Sequence, residues 1–518
     1  MRSIRLRILV VCVVLAIAGV GAWQLLPDSG VKKTPIRLGT TDVVSSLDPA
    51  VAYDAGSWAL YSGLYQSLMT FNRGSSVPVP DAAKTCGFTD TGLRTFTCEM
   101  RDDLHFSNGH ELTAEDVKFS LDRVLDIKNG SGPSPLLTTI KTIDVSGDKV
   151  IIHLKTRDAT FASKIATGAG AIVDHTEYPA KKARTGDTVV GSGPYVLKEY
   201  KKGVTAKLEP NPQYKGAIAK TGVPIEIHYF KQPDQLNAAW KSGRLDATHR
   251  ELPPEVLSQL SPGATEEHVN EVAGNEIRNL VFNVHPSAPM AKVGLRRAAA
   301  NLIDRPRLAA DVYEGTVEPL YSTIPQGVTG HSTAFFDAYP KVDVAKAKSL
   351  AADAGATTPV SITLGYSRTS VTDKEAAVLK KQLENGGVFK VTLAGASDWT
   401  KFQDNYTKGK YDAYALGWIA DFPDADNYAQ PLVGTDNSYS NGFSDSRING
   451  LISQTQQFSD RGRTTQLFRQ IQDQVADEVP LIPLWQRTDY VVTSKDISGG
   501  QYLSDGTGVW RIWELGWL

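Results

Sequence analysis

Ser361-Ile-Thr-Leu-Gly-Tyr366, Val388-Phe-Lys-Val-Thr-Leu-Ala394 and Tyr411-Asp-Ala-Tyr-Ala-Leu-Gly417 each read as a strand, with large apolar residues recurring at every second position. Between the first two lies a helix. Thr372-Asp-Lys-Glu375 has the pattern of a capping box, Ala376, Leu379 and Leu383 form an apolar stripe, and Asn385-Gly386-Gly387 is a stop signal. A strand, a helix and a strand of this length imply two parallel strands joined by a right-handed crossover. A second helix, near Thr400 to Lys408, leads into the third strand. The fold class expected is therefore α/β. Open α/β sheets bind ligands beyond the carboxyl ends of their strands.

Two of these strand ends carry opposite charges. The first leads to Arg368. The third runs through Gly417-Trp-Ile-Ala-Asp-Phe-Pro-Asp-Ala-Asp-Asn427, which holds Trp418 and the acids Asp421, Asp424 and Asp426. A Trp face beside a carboxylate suits a cationic ligand, such as the free amino terminus of a peptide. An extended dipeptide separates its charged ends by about 7 Å. Arg368 and Asp421 are candidate clamps for those two ends. Each alone reads more simply as a surface charge or an acidic turn; it is their convergence on one edge that favours a ligand.

The rest of the chain sets the context. Its 518 residues exceed what one core accommodates, so two or more lobes are expected. A 41% hydrophobic and 22% charged composition is that of a soluble globular protein, and a net charge of −2 gives no basic surface for nucleic acid. Arg2, Arg5 and Arg7 precede an apolar run from Ile8 to about Leu26. This is a secretory signal, with Val20-Gly-Ala22 as a possible cleavage site, or an uncleaved signal anchor; either places the body outside the cytoplasm. Residues 27–35 read as a linker. Cys12 sits inside the apolar run after Leu9-Val-Val, which does not match a lipoprotein signal. Cys86 and Cys98 flank the turn-rich Gly87–Gly92, and in an exported chain they are expected to form a disulfide across a hairpin. Trp58 to Leu68 has helical spacing. His105 and His110 surround the Asn108-Gly109 turn without a third ligand, so no metal is expected there. Gly191-Ser-Gly-Pro-Tyr195 lacks the Lys-Ser/Thr of a phosphate-binding loop and enters a strand.

Taken in order, eight segments resemble the peptide/nickel class of solute-binding proteins of ABC importers. They are Ser46-Leu-Asp-Pro49, the block Phe96–Val124, Gly191–Tyr195, Leu208-Glu-Pro-Asn-Pro-Gln-Tyr214, Trp240-Lys-Ser-Gly-Arg-Leu-Asp-Ala247, Leu295–Arg305, Gly417–Asn427 and Ile471–Gln486. The resemblance implies a two-lobed periplasmic-binding-protein-like fold with a third subdomain inserted in the first lobe. It implies residues 35–76, 190–281 and 488–518 for the first lobe, 77–189 for the insertion and 282–487 for the second lobe. It also implies that Asp421, three residues after Trp418, pairs with a peptide amino group, that Arg368 meets the carboxylate, and that Trp418 lines the pocket. Nickel-binding members lack that Asp, so Asp421 argues against a metal. No cofactor is implied. The partners implied are a peptide and a membrane permease, with the protein itself a monomer that closes on its ligand and catalyses nothing.

Two rival readings stay open. One is a peptide-binding sensor or folding assistant not tied to uptake. The other is a secreted hydrolase using Asp421 with Asp424 as paired acids. The second lacks any Gly-x-Ser-x-Gly, His-Glu-x-x-His or P-loop motif.

Overall fold

β1 (Ile36–Thr40), the first strand after the linker, is almost wholly buried and lies between two parallel neighbours. The computed structural model describes residues 34–219, 222–260, 265–504 and 506–518. The apolar run Ile8–Leu26, Cys12 and most of the linker lie outside the described residues. Residues 36–518 cluster as one unit. No helix among the described residues is long and apolar enough to cross a membrane.

Asp54 caps α1 (Ala55–Leu64) by accepting from the Ser57 amide. The sequence predicts this helix to Leu68, but it stops at Tyr65. Tertiary packing ends it: the Gly193 amide bonds the Leu64 carbonyl, and a Cβ at Gly193 would lie 2.5 Å from that carbonyl carbon. An antiparallel sheet follows, built from β2 (Ala83–Phe88), β3 (Thr95–Met100), β4 (Ile140–Ser146) and β5 (Lys149–Leu154) in the order β2-β3-β5-β4. Cys86 and Cys98 face each other across β2 and β3 and are joined, as expected. α2 (Ala114–Ile127) covers this sheet and starts at the predicted cap, Thr113.

The chain then builds one large sheet. Its further strands are β6 (Tyr195–Lys201), β7 (Thr205–Pro210), β8 (Ile225–Tyr229), β9 (Ala247–His249), β10 (Glu267–Phe282), β11 (Val317–Pro319), β12 (Val360–Ser367), β13 (Phe389–Ala396), β14 (Ala413–Trp418) and β15 (Leu481–Ser494). Their order is β13-β12-β14-β10-β15-β9-β1-β8-β7-β6, with β11 on β15. β12 pairs in parallel with both β13 and β14, as the opening segments predict. Between β12 and β13 runs α3 (Ser370–Leu383). Its cap is Thr369, with Thr372 completing the box, one turn ahead of the predicted Thr372-to-Glu375 box. Glu375 falls inside the helix and is fully buried.

Beside a small third cluster around Leu236 and Leu245, two large hydrophobic cores divide this sheet. One gathers residues between Ile36 and Ala247 with Val491–Leu515; the other gathers Ile277 through Trp485. They are the cores of two lobes. β10 and β15 run antiparallel through both. Glu267–Ala273 pairs with Ser494–Thr488, Ile277–Val281 pairs with Gln486–Leu481, and between them Gly274, Asn275 and Glu276 oppose Arg487 alone. A Cβ at Gly274 would lie 1.9 Å from the Arg487 carbonyl oxygen, so the crossing needs glycine there.

Candidate functional site

The two lobes enclose a cavity of about 800 Å³, within the usual range for ligand pockets. Tyr53, Trp58 and Lys231 line it from the first lobe; Arg368, Trp418 and Asp421 line it from the second. All three predicted ligand residues thus reach one cavity, as parallel strand ends dictate: Arg368 follows β12, while Trp418 ends β14 and Asp421 lies just beyond it.

Asp421 is 6% exposed. Its Oδ2 accepts from the Tyr53 hydroxyl at 2.6 Å and from Asn427 Nδ2 at 2.8 Å. Asn427 Oδ1 in turn accepts from the Asp421 amide at 2.9 Å and from Trp418 Nε1 at 3.2 Å. Asn427 therefore fixes the indole and the carboxylate together. Burial pushes the Asp421 carboxyl up to about 6, against the pull of the Tyr53 and Asn427 donors. Among the described residues no cation forms an ion pair with it. Two other carboxylates on the wall have guanidinium partners: Asp42 faces Arg250 at 3.3 Å and Glu276 faces Arg487 at 3.2 Å, while Asp54, at the start of α1, is spent on capping that helix. Asp421 is a desolvated carboxylate with neutral donors only, open to a cavity, and this is the arrangement that a ligand cation completes.

The aromatic surroundings are continuous across the lobes. Tyr53 lies 5.1 Å from Trp58 and 6.1 Å from Trp418, and Trp418 lies 6.4 Å from Tyr439. Arg368 is held differently. Its guanidinium donates to Asp373 at 3.2 and 3.1 Å, and its side chain is 59% exposed. Gly395 leaves room for its stem, since a Cβ there would lie 2.5 Å from the Arg368 Cγ.

The three acids after Trp418 go three ways. Asp424 is taken by Arg461 through two bonds of 2.7 and 2.9 Å. Asp426 faces Thr160 at 3.3 Å and the charge of Lys164, with burial raising its carboxyl to about 6. The Asp421–Asp424 acid pair of the hydrolase reading is thus not assembled. Tyr53 and Asn427 are the residues that sequence reasoning misses. Asn427 lies inside Gly417–Asn427, six residues from Asp421, but no pattern in the sequence marks its side chain. The two histidines near Asn108 also separate: His105 turns to Asp103, and His110 to Asp174 at 2.7 Å.

The sequence matches the family described as "Bacterial extracellular solute-binding proteins, family 5 Middle" over residues 77–440. It is 25% identical over 492 residues to the probable D,D-dipeptide-binding periplasmic protein DdpA of Escherichia coli, covering 91% of this chain and 92% of that one. Among solved structures, AgaA of A. tumefaciens in complex with agropinic acid superposes with a TM-score of 0.83 at 21% identity, covering 94% and 99% of the two chains. The murein tripeptide binding protein MppA of E. coli superposes at 0.82 and 20% identity over 94% and 99%, and its unliganded open form at 0.66 over 94% and 98%.

Proposed function

Since the chain belongs to the bacterial extracellular solute-binding proteins of family 5, we propose that its ligand is a peptide with a free amino terminus, captured between the lobes for an ABC importer. The observation that carries this reading is Asp421: a buried carboxylate facing the cavity with no cation paired to it among the described residues. The peptide ammonium is that cation. Trp418 flanks it, and Arg368, with N–H groups beyond those given to Asp373, meets the carboxylate end. Peptide backbone groups are common to every sequence, so holding them in extended form gives tolerance of side chains. Contacts made from both lobes favour the closed form by their differential affinity.

The lobe boundaries are part of the same proposal. The insertion spans 77–189; the first crossing is put at Gly274–Glu276 rather than after the expected 281, because Ile277, Leu280, Val281 and Phe282 pack in the second core, and the second stays at Arg487. The N-terminal Arg residues and the run Ile8–Leu26 export the chain, as a cleaved signal or as an anchor. The protein acts as a monomer and as a binder; the permease and its ATPase do the transport.

Calorimetry on di- to pentapeptides, with mass spectrometry of what co-purifies from native cells, tests this. Peptides should co-purify, and N-acetylation should abolish their affinity. Acetylated and free peptides binding alike would sink the reading.

A further inference from the structure

Tyr53 and Asp421 belong to different lobes. Tyr53 packs on the first core, next to Trp58 of α1; Asp421 follows β14 beside Trp418, which packs on the second. The bond between them joins residues 368 positions apart. We propose that Tyr53 is the positioning residue that couples lobe closure to the ammonium site, taking one oxygen of Asp421 and leaving only the other for the ligand. This rests on the peptide reading above and adds to it a class of cation.

The donor count carries the argument. Oδ2 accepts from both Tyr53 and Asn427, which fills its two acceptor positions. Among the described residues no hydrogen bond reaches Oδ1. One open oxygen satisfies an ammonium N–H. A planar guanidinium or amidine makes two parallel bonds and needs both oxygens. The pocket is therefore built for a primary amine and against a flat cation of equal charge.

Closure also strips water from Asp421, which costs free energy for as long as the group is charged. The Tyr53 hydroxyl arrives with the other lobe and offsets part of that cost by donating to the charged form. Asn427 donates too, but from the same lobe as Asp421, and the remaining neighbours do not perform this task. Tyr428, on the helix Asp426–Val433, donates to the Asn275 carbonyl; Asp424 and Asp426 face Arg461 and Lys164; no Lys, Arg or His among the described residues acts on Asp421.

Tyr53→Phe keeps the ring and its stacking and removes only the hydroxyl, and a thermal melt checks that folding is retained. Trialanine and its N-terminal acetamidine are the probes. Wild type should bind trialanine at least about tenfold more tightly than the amidine. In Tyr53→Phe, trialanine should weaken by about tenfold to a hundredfold, mainly through faster dissociation. The acid limb of its affinity–pH profile should move upward, and the gap between the two probes should narrow. An unchanged dissociation rate and acid limb, with trialanine binding still abolished by Asp421→Ala, would overturn the coupling and spare the peptide reading. Trialanine affinity unmoved by Asp421→Ala would overturn both.

Discussion

Glu375 and Asp421 are both buried carboxylates of the second lobe, and they are completed in opposite ways. Glu375, at 0% exposure, accepts from the Arg278 guanidinium at 3.0 and 2.7 Å, from Tyr313 at 2.9 Å and from Trp485 at 3.0 Å. Its charge is neutralised and its oxygens are engaged. Asp421 has two neutral donors on one oxygen and, among the described residues, no counter-charge. The first arrangement holds a lobe together. The second is a partial shell, which on the proposed reading the ligand ammonium finishes. Burial is common to the two; what separates them is whether the described residues supply the counter-charge.

The largest effect should come from breaking the completed shell. Glu375→Ala leaves the Arg278 charge buried and should cost about 3–5 kcal/mol in urea unfolding. A loss below 1 kcal/mol would show that the Arg278 pair holds nothing. Asp421→Ala should do the reverse: peptide affinity falls by about 2–5 kcal/mol, read by calorimetry, while the unfolding midpoint does not fall. A destabilised Asp421→Ala would place it with Glu375 and erase the contrast.

Acid should sharpen the comparison next. The Asp421 carboxyl sits at about 6 in the folded protein, above the unfolded value near ~3.9. The native state therefore holds this proton more tightly. The group costs stability above pH 6, and the cost disappears as pH falls through 6 towards 4, an effect on the order of 3 kcal/mol. Over the same descent a bound ammonium loses its counter-ion. The empty protein should gain stability while affinity drops. Asp426, also raised to about 6, shifts stability in the same sense, so the wild type minus Asp421→Asn difference isolates the effect. A stability difference and an affinity that both stay flat from pH 7 to 5 would remove Asp421 from the titration.

The smallest effect belongs to Arg368. It is exposed and already shares its charge with Asp373, so Arg368→Ala should weaken free-acid peptides by less than about fivefold. Amidated peptides should not change. An equal loss for both would end its assignment to the carboxylate.

Local pattern made much of this legible. The β12–α3–β13–β14 unit could be read because its strands alternate, its helix has a stripe and two glycines stop it. Trp418, Asp421 and Arg368 could be placed in one cleft because parallel strands share an edge. What stayed hidden depends on distant residues. α1 ends early because a turn at Gly191–Gly193 packs on it. Glu375 looked like a cap but turned inward to meet Arg278, 97 residues earlier. Only the family resemblance told Asp421 from Asp424 and Asp426; no local pattern showed that Arg461 and Lys164 claim those two. No spacing rule pairs a tyrosine at 53 with an acid at 421.

The three-against-one mismatch at Gly274–Glu276 and Arg487 has a mechanical meaning. Ladders on either side make each lobe a stiff lever, and if the lobes close as proposed, the short unladdered gap is where they would pivot. Small displacements where the guest sits are therefore magnified at the outer rims, far from any chemistry, and those rims are where a docking transporter would read whether the carrier is loaded.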